Sequence, residues 1–335
     1  MTKTVSENTV EHKSKPANRA YLDNRGNIRA KTKAARSYSS RLASKHRTKT
    51  LLVGMLKTLG ETELVDRMTL CGSKFVALSC GSHIVGRRPN HRCDWRLCPF
   101  CAVRRSRRLI NKYLPLATAF VGSRRVAPVL LTLTQSHRAG ELLATSRQRL
   151  LDSFKKLSRR GFFERHFAGG LYAVETTIGT DGAWHCHLHI IGFRLRFFDI
   201  GILRSEWLTV TGDSHILRLD RVDDLSSGMR ECLKYISKPL DAGTFDASHI
   251  RQFLKIKGAR MFATFGEFAK FCRNYDPSDN AAGEPVERAG LCAGDACPYC
   301  SEPLFETRLM TIAELIAFAR RIEAVPKYKY GDLKL

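Results

Sequence analysis

The sequence has no apolar run of about 18 residues, the length a helix needs to cross a bilayer. Its N-terminus is polar and charged and lacks the apolar stretch of an export signal. A membrane-spanning or secreted protein is therefore not expected, and a cytoplasmic one follows by default. Acidic residues are scarce: 32 Asp and Glu stand against 56 Lys and Arg, for a formal net charge of +24. Self-repulsion of that size makes sense mainly beside a polyanionic partner. Nucleic acid is the first candidate. An anionic membrane surface is the weaker second.

A disulfide framework is also disfavoured. The 11 cysteines are odd in number, and several fall in C-x-x-C pairs. Without an export signal, that spacing favours metal thiolates. The length of 335 residues allows one large domain or two modest ones, and a hydrophobic fraction of 43% predicts a real core.

What is present centres on Trp184-His185-Cys186-His187-Leu188-His189-Ile190-Ile191. Strand side chains alternate faces. His185, His187 and His189 then line one face, with Cys186, Leu188 and Ile190 on the other. A single strand histidine is ordinarily a hydrogen-bonded polar residue. Three in strict alternation point to metal binding.

In chain order, residues 1–47 read as a basic, disordered arm; residues 1–50 hold 13 Lys and Arg against Glu7, Glu11 and Asp23. A helix is expected from about His46, with Leu51, Leu52, Met55 and Leu56 at helical spacing. Residues 48–125 read as a zinc-binding and basic-helix module. Cys80-x-x-His83 and Cys98-x-x-Cys101 are two knuckles of zinc-ribbon spacing, each able to grip one side of a tetrahedral Zn²⁺. Cys93 and Cys71 are surplus, so the final four ligands stay open. Arg104, Arg105, Arg107 and Arg108 follow at once on an expected helix and suit DNA phosphate contacts. A solvated charge run is the plain alternative.

Residues 126–272 carry the pattern β-α-β-β-α-β-α. Strands are expected over 126–134, 170–177, 184–193 and 215–219, and helices over 139–157, 201–208 and 225–238. The turn Gly179-Thr180-Asp181-Gly182 joins the second and third strands. The order fits an α+β fold of the ferredoxin-like, split βαβ type, an antiparallel sheet with helices on one face. The phenylalanines at 262, 265, 268 and 271 read as core. Residues 273–335 read as a linker, a second cysteine cluster and a helix over 311–324. Cys292, Cys297 and Cys300 repeat the spacing of Cys93, Cys98 and Cys101, and form a candidate second zinc site with Cys272 or a histidine as the fourth ligand.

Hairpin arithmetic places Glu175 opposite His187, with Cβ atoms about 5 Å apart. Two imidazoles and a carboxylate suit Mn²⁺ or Mg²⁺ bound to a phosphate. Downstream, Tyr235 on an expected helix can attack phosphorus. Glu231, four residues earlier on the same face, can act as a base or position water. Lys238, one turn on, can stabilise phosphate charge. Alone, a tyrosine followed by a lysine three residues on means little. It gains weight from the histidine strand upstream.

In this order, Leu131-Thr132-Leu133-Thr134, His187-Leu188-His189 and Tyr235-Ile236-Ser237-Lys238 resemble the three motifs of HUH endonucleases. With the Cys93–Cys101 segment, Arg96, Pro99 and Arg104-Arg105, the chain is similar to single-tyrosine initiators of rolling-circle plasmid replication from about Arg67 to Lys270. The resemblance implies metal-dependent nicking of single-stranded or extruded origin DNA, a covalent 5′-phosphotyrosine and a free 3′-OH. It implies Glu231 as the second catalytic residue. It places the metal pair at His187 and His189, leaving His185 beside phosphate or behind the ligands. Host helicase and replication proteins are the implied partners. A transposase or mobilisation relaxase of the same superfamily is the near alternative. No second tyrosine lies between Leu225 and Leu240 to favour the two-tyrosine kinds. A zinc-dependent DNA-binding regulator, which binds without cleaving, is the alternative from another class.

Overall fold

A computed structural model describes residues 21–22, 28–29, 37–234, 245–275 and 294–324. Tyr235, Lys238 and Cys292 lie outside the described residues, as does most of the arm assigned to 1–47. The fold is mixed α+β, with antiparallel sheets.

The N-terminal part opens with a two-stranded pair, β1 (Tyr21–Leu22) and β2 (Ile28–Arg29). Helices α1 (Tyr38–Thr58) and α2 (Thr62–Leu70) precede the hairpin of β3 (Lys74–Ser79) and β4 (Ile84–Pro89). The long helix α3 (Pro99–Ser123) follows. The helix expected from His46 thus begins at Tyr38, because the Ser37 hydroxyl accepts from the Ser40 backbone N–H and caps it there.

The second part contains β5 (Ala127–Thr134), α4 (Leu143–Leu157), α5 (Gly161–His166), β6 (Phe167–Ile178) and β7 (Trp184–Arg194). It continues with α6 (Ile200–Thr211), β8 (Leu217–Arg221), α7 (Leu225–Lys234), α8 (Ala247–Lys255), β9 (Phe262–Phe265) and α9 (Gly266–Asn274). The five strands pair in the order β8-β5-β7-β6-β9, every pair antiparallel. α4 begins four residues later than expected from Ala139, because Gly140 takes φ +73° and breaks the turn before Leu142 caps the helix. At Gly169 and Gly170 the register of β6 slips against β7. A Cβ on Gly170 would fall 2.0 Å from the Ile191 carbonyl oxygen, so only glycine lets the backbones meet there.

Strand alternation divides the core. Val174, Trp184, Cys186, Leu188 and Ile190 face a cluster with Phe154 of α4 and Trp207 of α6. Leu171, Ala173, Ile191 and Phe193 face Phe120 of α3, Met229, Cys232 and Leu233 of α7, and Phe268 of α9. Helices therefore cover both faces, where the sequence pattern put them on one. The apolar stripe Met229–Cys232–Leu233 needs a partner surface. It finds one on the face that carries the histidines.

Of the four late phenylalanines, Phe268 is fully buried and the others are partly buried against the same two clusters. The chain then returns to the N-terminal part. β10 (Phe305–Glu306) and β11 (Met310–Thr311) both pair with β3, and α10 (Ile312–Glu323) packs on α1. Thr311 and Glu314 form the capping box that starts α10. Glu323 at its other end accepts from the Ser39 backbone N–H at 3.0 Å and its hydroxyl at 2.5 Å. The segments separated as 48–125 and 273–335 in the sequence are thus joined in one sheet and one small core. Among the described residues, no helix is long and apolar enough to cross a membrane.

Candidate active site and metal centres

The histidine strand is laid out by its two neighbours. β5 pairs Thr132 with His189 and Thr134 with His187; β6 pairs Glu175 with His187. The hairpin arithmetic thus holds residue for residue. His189 and Glu175 are each 5% exposed. The imidazole Nε2 of His189 lies 2.8 Å from Glu175 Oε2, on the diagonal of the ladder. Its Nδ1 lies 3.1 Å from the Thr132 hydroxyl. His187 Nδ1 lies 3.3 Å from the Thr134 hydroxyl, and the two rings stand 6.5 Å apart. The Nδ1 atoms of both histidines face threonine hydroxyls, and the Nε2 of His189 faces Glu175. An outer hydroxyl that fixes the ring is the usual companion of a ligating imidazole. A hard divalent ion is compatible with this donor set of two imidazole nitrogens and a carboxylate. The roles of Thr132 and Thr134 are visible only once the strands are paired.

His185 does not join them. Its ring stacks on His137 at 4.2 Å, and Asp181 approaches both, 3.0 Å from His137 and 3.9 Å from His185. These three gather at the hairpin tip as a separate polar cluster.

α7 packs across the histidine face. The Cys232 thiol donates to the His189 carbonyl oxygen at 3.2 Å, and burial pushes that thiol up to about 12. Glu231 and Lys234 form an ion pair on the outer side of the helix. The described part of α7 runs to Lys234, and Tyr235 lies outside the described residues.

The cysteines sort differently from their spacing. Cys71, Cys93, Cys98 and Cys101, all buried, form one group. Cys80, His83, Cys297 and Cys300 form another. Cys80 and His83 occupy the β3–β4 turn, at the far end of the hairpin from Cys98 and Cys101. They meet the C-terminal knuckle instead, because β10 runs along β3 and carries it there. Cys71, the cap of α2, and Cys93 take the places that spacing gave to that pair. In the first group the Cys71–Cys101, Cys71–Cys98 and Cys93–Cys101 sulfurs are 3.4, 3.6 and 3.8 Å apart. In the second, Cys80 lies 3.5 Å from Cys300 and 3.4 Å from His83 Nδ1, which lies 3.7 Å from Cys297. A tetrahedron with arms of about 2.3 Å has edges of about 3.8 Å, so both groups have the size of a zinc site. Cys272 stays apart from both groups and packs beside the α3–α9 core.

In the first group, thiols donating from Cys71, then Cys93 and Cys98, drive Cys101 far below the ordinary thiol range. Cys98 and Cys101 sit at the start of α3, whose N-terminus favours thiolates. Lys49 of α1 is 6% exposed and donates to the backbone carbonyls of Thr69 at 2.9 Å and Cys71 at 2.7 Å. Its charge is brought against the cysteines.

The four arginines divide. Arg104 pairs with Asp94 at 3.6 Å, and Arg105 donates to the Asp94 carbonyl oxygen at 2.7 Å. Both brace the Cys93–Cys98 loop, where Asp94 holds φ +51°. Arg107 and Arg108 are exposed on α3.

Residues 87–290, more than half of the chain, match the family model described as Replication protein. A protein named Protein rep from Lentilactobacillus hilgardii is 29% identical over 102 residues, 30% of this chain and 32% of its own length. Another Protein rep, from Lactiplantibacillus plantarum, is 32% identical over 105 residues, 30% of this chain and 33% of its own length. The matched stretches thus span about a third of these relatives. No solved structure matches. The family match spans β4 to beyond α9, and so contains the histidine strand and its neighbours: the chain belongs to the Replication protein family.

Proposed function

We propose that the protein initiates rolling-circle replication of a plasmid, as an HUH-type DNA nickase and ligase. The observation that carries this reading is the set Thr132, Thr134, Glu175, His187 and His189 on one face, with α7 leading toward Tyr235. The strand order β8-β5-β7-β6, with α4 and α6 on one face, supports a ferredoxin-like domain as its frame.

His187, His189 and Glu175 would hold Mn²⁺ or Mg²⁺, which supplies charge to a scissile phosphoryl oxygen. Thr132 and Thr134 keep both rings pointed at that place. Tyr235 attacks the phosphorus through its phenolic oxygen, forms a 5′-phosphotyrosine ester and releases the 3′-OH that primes synthesis. Glu231 serves the second step by positioning water or a second hydroxyl. Lys238 balances phosphate charge. The two zinc-sized groups act as staples for the N- and C-terminal segments. The partner is origin DNA, nicked in single-stranded or extruded form.

The test is a set of labelled single-stranded oligonucleotides tiled across the replicon's origin, incubated with Mn²⁺. The expected result is a protein–DNA adduct that survives denaturation and disappears in Tyr235→Phe. Binding with no adduct at any tile would favour the zinc-dependent regulator. An adduct persisting in Tyr235→Phe would remove Tyr235 as the nucleophile.

A further inference from the structure

Between α1, the β3–β4 hairpin and the start of α3 lies a cavity of about 420 Å³. Arg41, Lys45, Arg87, Arg92, Arg104 and Arg107 line it, and no acidic side chain does among the described residues. Arg104 reaches away to a carboxylate, Asp94 at 3.6 Å. Lys45 is pushed down to about 8, first by burial and then by Arg87, Arg107 and Arg41. Folding has gathered like charges in a cleft, which costs stability unless an anion enters.

The floor is aromatic. The Arg87 guanidinium lies over the rings of Phe75, Phe100 and Tyr38, at 5.2, 5.7 and 5.9 Å. A guanidinium plane and an aromatic ring are the surfaces on which nucleobases stack. A volume of this order admits one base with its phosphate. With Arg104 turned to Asp94, five cations remain, more than one phosphate needs, which suits a strand entering and leaving. The back wall includes Cys71 and Cys101, so the metal-sized cysteine group fixes its shape. On the next face of α3, Ser106 donates to the Leu233 carbonyl oxygen at 2.9 Å, two residues before Tyr235 in the chain.

We propose that this cavity holds one unpaired nucleotide of the DNA strand, its phosphate against Arg41, Lys45 and Arg107 and its base against Phe100 and Arg87. The proposal rests on DNA being the substrate, and deepens that reading by naming where the strand is gripped outside the nicking site.

The test measures binding of a labelled single-stranded origin oligonucleotide to the full zinc-loaded chain across a salt series. Relative to wild type, Lys45→Gln with Arg41→Gln should weaken binding. It should also flatten the slope of log affinity against log salt by about one for each phosphate no longer neutralised. Arg159→Gln, an exposed cation after α4, should leave the slope unchanged. Moving a single abasic site along the oligonucleotide should reveal one position where base removal weakens wild-type binding about fivefold or more. Arg87→Ala should erase that dependence while retaining its zinc and circular dichroism. An unaltered slope in the double variant, or no base-sensitive position, overturns the proposal. Adduct formation at saturating oligonucleotide separates the two readings. Adduct retained in the double variant is expected, and its absence from wild type counts against the nicking reading alone.

Discussion

Thr132 and His189 face each other across β5 and β7, and the threonine hydroxyl lies 3.1 Å from the imidazole Nδ1. In the proposed metal site this contact would orient the His189 ring toward the ion. Replacing Thr132 by Val keeps the shape of the side chain and removes the hydroxyl. Mn²⁺ affinity should fall about 10- to 100-fold, read by titration calorimetry, while the melting temperature hardly moves. Thr132→Ser should recover most of the affinity. Equal affinity in Thr132→Val would mean that ring orientation comes from packing alone.

The two cysteine groups predict two zinc ions per chain. Cys71→Ser should lose one and keep the other, and Cys80→Ser should do the same at the second group. Plasma mass spectrometry on purified protein reads the stoichiometry. If Cys71→Ser keeps both ions, the ligand set belongs to the spacing pattern, Cys80 and His83 with Cys98 and Cys101.

That contrast marks where sequence pattern stops. The β6–β7 register was legible because Gly179–Gly182 fixes a turn and alternation then fixes every pair. The ligands of each zinc-sized group were not. Cys71 has no cysteine partner within a few residues and is recruited by the end of α2. Cys297 meets His83 across 214 positions of chain, through a two-residue strand that no periodicity announces. The second helical layer on the sheet was half legible. The stripe Met229, Cys232, Leu233 shows that α7 needs a partner, but only the sheet shows which face it takes. Arg104 and Arg105 read as phosphate contacts because charge runs look alike. Their tie to Asp94 depends on the bend of the Cys93–Cys98 loop.

Buried Cys232 carries a pH signature. Its thiol is raised from 9.0 to about 12 in the folded protein, by burial above all. A group with a raised folded value contributes its stability fully below its unfolded pKa and loses it as pH climbs toward the folded one. Urea midpoints should therefore fall between about pH 9 and 12. The fall should be shallower in Cys232→Ala, although that variant starts from a lower midpoint. Parallel curves would show that Cys232 ionises in the folded state as readily as in the unfolded one.

Glu231 lies on α7 four residues before Tyr235 and pairs with Lys234. Its side chain is 43% exposed, so the pair adds little to stability. Glu231→Ala should stay within about 1 kcal/mol of wild-type stability and still form the covalent adduct, while release of DNA from the adduct slows. Adduct formation and release slowed by the same factor would instead give Glu231 a positioning role on the helix.

Lys49 is the cation that the fold buries beside four thiols. Its ammonium satisfies the Thr69 and Cys71 carbonyls and would offset the negative charge of four thiolates holding a metal. Lys49→Met fills the same space without the charge or the donors. The buried Cys71 carbonyl then loses its partner, at about 1–3 kcal/mol, the part-buried Thr69 carbonyl loses its own at less cost, and the thiolates lose their counter-charge. The variant should melt well below wild type and release its zinc to a colorimetric chelator faster. Cys80→Ser, which leaves this group intact, should release the zinc of the Cys71 group at the wild-type rate. Unchanged release from Lys49→Met would place the lysine's contribution in the two hydrogen bonds and none of it in the charge.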